Sequence, residues 1–68
     1  MQAYEIIDAA VQKRGITIAE LARRTGISQE LLRRSLIGDR KINADEFVPL
    51  CRELNLGIEN FSSVKAAM

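Results

Sequence analysis

Apolar residues recur along this chain at three- and four-residue spacing, in stretches separated by glycine. Ala3, Ile6, Ile7, Ala10 and Val11 form the first stripe, which predicts an amphipathic helix over residues 2 to 13. Gly15 stands just beyond it, where a left-handed residue closes a helix without steric penalty. Thr17-Ile18-Ala19-Glu20 has the form of a capping box. In such a box the threonine hydroxyl accepts from the third helical amide while the glutamate reaches back. It opens a short second helix, residues 18 to 25, with Ile18, Leu21, Ala22 and Thr25 facing inward. Gly26 interrupts the chain, and Ser28 is a good cap for a third helix over 28 to 37, which Gly38 ends. Glu30 in its first turn suits the positive end of the helix dipole. Asn43-Ala44-Asp45-Glu46 is a second box-like start, and Phe47, Leu50, Cys51 and Leu54 make one stripe through a fourth helix, residues 44 to 55. Gly57 follows, with a short turn expected over 58 to 62 and a frayed tail from Lys65 to Met68.

No strand pattern, repeat or linker interrupts this reading. It predicts a compact all-α fold of four to five helices, one domain over residues 1 to 68. One residue conflicts with it. Pro49 falls inside the fourth helix, where it removes an amide donor and crowds an earlier carbonyl. The helix either starts later than Asn43 or bends in its first turns; a kink is expected, because the apolar stripe runs through the proline unbroken.

Composition narrows the function classes. Of 68 residues 47 % are apolar and 28 % charged, a globular balance. A single cysteine, Cys51, permits no internal disulfide, and with no histidine a zinc site lacks ligands, so the core must hold the fold and no metal or cofactor is expected. Cys51 lies on the apolar stripe and reads as core. No leader and no span of roughly 20 apolar residues is visible, which predicts a cytoplasmic protein with no membrane partner. The net charge is only +1, but it is unevenly spread. Residues 18 to 41 hold six basic side chains against three acidic ones, and the remainder holds four against six. That asymmetry suits a phosphate-facing side. No nucleophile elbow, phosphate-cradling loop, histidine base or small-molecule site is evident, so an enzyme is not expected.

The stretch Ile18 to Ile37 is two helices joined by a glycine-containing turn of about three residues. Ala22 is small where the two helices cross, and Leu21, Ile27 and Leu32 close the core between them. The run Ile18-Ala19-Glu20-Leu21-Ala22-Arg23-Arg24-Thr25-Gly26-Ile27-Ser28-Gln29 resembles the lambda-repressor-like helix-turn-helix family of Cro and XRE-type regulators. Gly38-Asp39-Arg40-Lys41 and Leu50-Cys51-Arg52-Glu53-Leu54-Asn55-Leu56 are similar to that family's loop and closing helix, so the resemblance spans roughly residues 3 to 58. Three positions depart from the family's pattern. Ile18 replaces a polar residue, Ser35 an apolar one, and Leu36 an acidic one. Either the third helix is slightly rotated or Leu36 fills the gap.

The resemblance implies a third helix lying in the major groove of double-stranded DNA. The helical wheel turns Leu32 and Leu36 inward and Gln29, Glu30, Arg33 and Arg34 outward. Arginine can fork onto guanine, glutamine onto adenine, and glutamate can accept from a cytosine amine. Gln29 and Arg33 are therefore expected to read bases, with Glu30 and Arg34 reading bases or bridging to phosphates. Phosphate contacts are expected from Ser28 and the amides beside it, from Arg40, Lys41 and Asn43, and from Thr17. Arg23 and Arg24 read as a solvated face. The family implies a transcriptional regulator of phage or bacterial type, a repressor, binding a palindromic operator as a homodimer. Ile58, Phe61 and Val64 are the apolar residues available either for that dimer or for the chain's own core. The competing reading is a protein-interaction module or antitoxin-like adaptor on the same fold. The chain also fits the DNA-binding part of a longer regulator.

Overall fold

The computed structural model describes residues 2–62 and 64. Helix α1 spans Ala3–Arg14, α2 Ile18–Thr25, α3 Gln29–Leu36 and α4 Ala44–Leu54, and a single 3-10 turn, Ile58–Phe61, follows. No strand occurs among the described residues. The all-α architecture is the expected one, and the helix ends shift by a residue or so. Helix α1 starts and ends one residue later than its apolar stripe predicts. Helix α3 is shorter at both ends, because Ser28 serves as the cap outside it and Ile37 has left the helical region with ψ at 3°. The residues Lys65 to Met68, expected to fray, lie outside the described residues.

One core joins the four helices: Ile7 and Val11 from α1, Leu21 and Ala22 from α2, Leu32 and Leu36 from α3, Leu50 and Leu54 from α4. Helix α2 lies against both α3 and α4, while α1 lies against α3, α4 and the last turn. Helix α3 does not run alongside α4. Ile18 is half-buried and packs against the core, which accounts for an apolar residue where the resembled family has a polar one. The expected stripe of α4 divides by depth: Leu50 and Leu54 are buried, and Phe47 and Cys51 are half-buried. Phe47 packs against Phe61 with ring centroids 5.1 Å apart and planes tilted by 55°, so the last turn is held by an aromatic pair.

The α2–α3 turn is closed by its own side chains. Gly26 sits at φ +77°, and the Thr25 hydroxyl donates to the Leu21 carbonyl at 2.8 Å while accepting from the Ile27 amide at 3.4 Å. Helix α4 begins as predicted, with Asn43 Oδ1 accepting from the Glu46 amide at 3.0 Å and Glu46 reaching back to the Asn43 amide at 3.3 Å. It is one continuous helix from Ala44 through Pro49, so the helix does not start late. Its C-terminus is capped by Asn55 in the left-handed region (φ 56°), not by Gly57. Asparagine tolerates that region better than most residues with a Cβ.

The capping box expected at α2 forms by half. Thr17 Oγ1 accepts from the Glu20 amide at 3.1 Å, but the Glu20 carboxylate turns away from the Thr17 amide. It is held by Arg23 and by Arg24 Nε, the latter at 2.8 Å. Two charged donors on the same helix outcompete one neutral amide for a carboxylate.

Candidate nucleic-acid interface

Helix α3 is two turns long and splits cleanly by face. Leu32, Ser35 and Leu36 are buried, while Gln29, Glu30, Arg33 and Arg34 are exposed. The four expected base-reading residues thus share one solvent-facing surface. Sequence reasoning left open whether Leu36 fills the space of a missing apolar residue or the helix rotates. In the structure Leu36 is in the core and Ser35, 1 % exposed, is buried beside it.

At the head of α3 the Ser28 hydroxyl oxygen accepts from the Leu31 amide at 3.2 Å, and the Ser28 carbonyl accepts from the Leu32 amide at 2.9 Å. The Gln29 and Glu30 amides find no acceptor among the described residues and point out of the helix end. Together with the positive end of the dipole they form an anion-attracting terminus beside the exposed face. Thr17 caps α2 in the same way, and Asn43 caps α4, so three of the expected phosphate-contacting residues sit at helix starts. Their surroundings differ. Glu20 stands in the first turn after Thr17 and Glu30 in that after Ser28, each paired with arginine, while the Asn43 terminus carries two acids, Asp45 and Glu46, which oppose an anion there more strongly.

The arginines are less available than the sequence implies. Arg33 Nη2 donates to both carboxylate oxygens of Glu30, at 2.6 and 2.9 Å, and this pairing holds the Glu30 carboxyl below the usual range. Arg34 Nε donates to Asp39 Oδ2 at 3.3 Å. Arg24, read from sequence as simply solvated, pairs with Glu20 and reaches Glu53 of α4 at 3.6 Å. Hydrogen bonds from Arg23 and then Arg24 lower the Glu20 carboxyl from 4.5 to about 2. All these side chains are solvent-exposed to a third or more, apart from Glu53, so water and salt screen the pairs and DNA can exchange with them.

Arg40 is placed unlike the other expected phosphate ligands. Its side chain is only 23 % exposed, and its guanidinium donates to Ser35 Oγ and to Glu46 Oε2, both at 2.8 Å. Lys41, by contrast, is exposed and makes no ion pair or side-chain hydrogen bond among the described residues. A groove of about 480 Å³ runs past Lys41 and Arg40 between this loop and the start of α1, lined also by Tyr4, Gly38 and Ile42. Tyr4 escaped sequence reasoning, because nothing in local spacing links residue 4 to residue 38. Cys51 is half-buried, and burial pushes its thiol up, which leaves it protonated.

A helix-turn-helix family model matches residues 7–61, from the middle of α1 to the end of the last turn. The chain belongs to the helix-turn-helix family of XRE and lambda-repressor-like DNA-binding transcription regulators. No curated protein and no solved structure matches the chain significantly. The helix-turn-helix of this regulator-type domain is α2, the Gly26 turn and α3, and it is the element that carries the exposed quartet. No helix among the described residues is long and apolar enough to cross a membrane.

Proposed function

We propose that this chain is a sequence-specific transcriptional regulator that lays α3 in the major groove of double-stranded DNA. The observation that carries the reading is the clean division of α3, with Gln29, Glu30, Arg33 and Arg34 exposed on one face and Leu32, Ser35 and Leu36 locked into the core on the other. Gln29 and Arg33 read base edges. Glu30 releases Arg33 on docking and either accepts from a cytosine amine or faces the groove rim; Arg34 reads a base or bridges to phosphate. A good bidentate pairing separates a right base from a wrong one by about 1–3 kcal/mol. The Ser28 terminus and Lys41 grip phosphates, with Thr17 and Asn43 as further contacts.

A palindromic operator bound by a homodimer, acting as a repressor of phage or bacterial type in the cytoplasm, completes the proposal. One two-turn helix covers few base pairs, and a two-fold dimer doubles the site with half-sites about one helical turn apart. Ile58, 91 % exposed, and Val48, 56 % exposed, flank an apolar cavity of about 160 Å³ lined by Phe47, Cys51 and Phe61. That surface is the dimer contact in this reading, with Phe61 already half-covered by its own fold.

The test is selection of binding sites from a random duplex pool, followed by binding to the winners across salt concentrations. Enrichment of a palindrome with a steep salt slope supports the reading. A second reading is favoured by one observation: Arg33 and Arg34 are paired with carboxylates of their own chain. If no duplex is enriched and binding is weak and salt-insensitive, the same face serves a protein partner, as in an antitoxin-like adaptor.

A further inference from the structure

A chain of polar contacts joins the end of α3 to the start of α4, and base reading does not use it. The buried Ser35 hydroxyl donates to the Leu31 carbonyl at 2.9 Å and accepts from Arg40 Nη1 at 2.8 Å. Arg40 Nη2 donates to Glu46 Oε2 at 2.8 Å, and Glu46 Oε1 accepts from the Asn43 amide at 3.3 Å. Every buried side-chain polar atom among the described residues is satisfied. The guanidinium is a planar fork able to hold two acceptors at once, which an ammonium on a flexible stem does not do. Helix α3 and α4 do not lie side by side, so this fork is the side-chain hydrogen-bonded link between them. It also gives a reason for serine where an apolar residue would pack: leucine there would remove the acceptor of Nη1.

We infer that Arg40 is a positioning residue for the recognition helix and not a phosphate ligand, an inference that rests on the DNA-reading proposal above. Helix α3 has eight residues, hence a length of about 12 Å, and its core anchors Leu32 and Leu36 lie along a single line. A short helix held along one line rolls about that line, and a roll displaces the tips of long side chains such as Gln29 and Arg33 more than it displaces the backbone. Base reading needs those tips placed within about 0.5 Å. The tie through Ser35, beside that line, resists the roll and refers the helix to the capped first turn of α4. The Glu46 carboxyl, lowered mainly by its hydrogen bond from Arg40, stays ionised and keeps the tie closed.

The test uses the whole chain, with the duplex enriched by the wild type and a random duplex as probes. Arg40→Lys, Arg40→Met, Ser35→Ala and the double variant Ser35→Ala/Arg40→Met are compared at a temperature where circular dichroism shows all of them folded. A tie predicts that each single change lowers the preference for the enriched site by about 2- to 30-fold, the range for effects relayed through hydrogen-bonded networks. The double variant falls no further, and the slope of log affinity against log salt stays at the wild-type value. Arg40→Lys keeps the charge and loses the fork, so it groups with Arg40→Met. Two results overturn the inference. In one, Arg40→Lys resembles wild type, Ser35→Ala is silent and Arg40→Met lowers the slope by about 0.9, the signature of one lost phosphate contact. In the other, all variants melt earlier but keep wild-type preference, which makes the tie structural only. Failure of the wild type to enrich any site removes the DNA reading and the positioning role with it; that arm is read first, so the two failures are distinguishable.

Discussion

Replacement of Gly38 by alanine separates a backbone cost from a steric one, because the domain contains its own control. Gly38 and Gly26 both adopt left-handed conformations, at φ +83° and +77°. A Cβ on Gly26 meets nothing within 4 Å, whereas one on Gly38 lands 2.6 Å from Tyr4 Cζ and 2.7 Å from its hydroxyl oxygen. The left-handed region costs a residue with a Cβ about 1–2 kcal/mol. Alanine recovers about 0.4–1 kcal/mol by narrowing the unfolded ensemble. Gly26→Ala therefore destabilises by about 1 kcal/mol, a fall in Tm of about 4–8 °C for a chain of this size. Gly38→Ala incurs the same cost and must also push the Tyr4 ring aside. The ring is half-buried. Losing its cover of about 100 Å² at about 25 cal/mol per Å² amounts to about 2.5 kcal/mol. That is an upper bound, since a ring with two rotatable bonds recovers part of its contact elsewhere. Gly38→Ala should then melt below Gly26→Ala by a further few degrees, and in a Tyr4→Ala background the two substitutions should cost the same. Thermal melts of the six proteins by circular dichroism decide it. Equal melting of Gly38→Ala and Gly26→Ala with Tyr4 present refutes the close approach; an excess that survives removal of the ring refutes its cause.

Three further expectations follow from the packing and the ion pairs. Leu32→Ala empties a fully buried position and should cost about 2–5 kcal/mol, while Leu31→Ala, next to it but 37 % exposed, should cost well under that; denaturant melts of the pair compare the two faces of α3. Glu20 is lowered from 4.5 to about 2 by its arginines, so the folded state binds that proton less readily than the unfolded chain. Its contribution is complete above 4.5 and is lost as pH falls toward 2; Glu30 and Glu46 shift the same way. Melts at descending pH should show this loss, a Glu20→Gln variant should show less of it, and added salt should shrink the difference. Glu30→Gln frees Arg33 from its carboxylate, and in a DNA reader it should raise affinity for random duplex and steepen the salt slope while lowering discrimination. Unchanged random-duplex binding in that variant would place the pair away from the DNA.

Most of the helical framework was legible because period and punctuation agreed. The stripes of α1 to α4 and the glycines at 15, 26 and 38 located helices to within a residue or so. What escaped were choices between partners of similar reach. Glu20 lies three residues from the Thr17 amide and three and four from Arg23 and Arg24, and spacing alone cannot rank them; charge does. Asn55 closes α4 two residues ahead of Gly57 because asparagine also accepts the left-handed region. The exposed quartet of α3 followed from the wheel, but the engagement of Arg40 did not. Its partners lie five residues before it and six after, across a helix end where no periodic rule holds. Ser35 stood out in the sequence as a misfit, and that misfit was the visible trace of the tie.

The paired arginines of the helix-turn-helix surface bear on how such a protein would find its site. Three carboxylates, Glu20, Glu30 and Asp39, lie within hydrogen-bonding reach of Arg23, Arg24, Arg33 and Arg34, Glu20 serving two of them, and turn most of a row of monopoles into short dipoles. The field of a dipole dies away faster than that of a charge, and little of it extends beyond a Debye length of about 8 Å at physiological salt. Approach to a polyanion is then steered only by the residual positive charge, at a rate between the unguided, about 10⁵–10⁶ M⁻¹s⁻¹, and the fully steered, about 10⁸–10⁹ M⁻¹s⁻¹. Visits to random sequence are brief, with little sliding, because grip comes only after the carboxylates have been exchanged for bases or phosphates. Such a protein gives up speed of arrival in return for not being held up on the wrong DNA, and its occupancy of an operator follows its copy number more than its search rate.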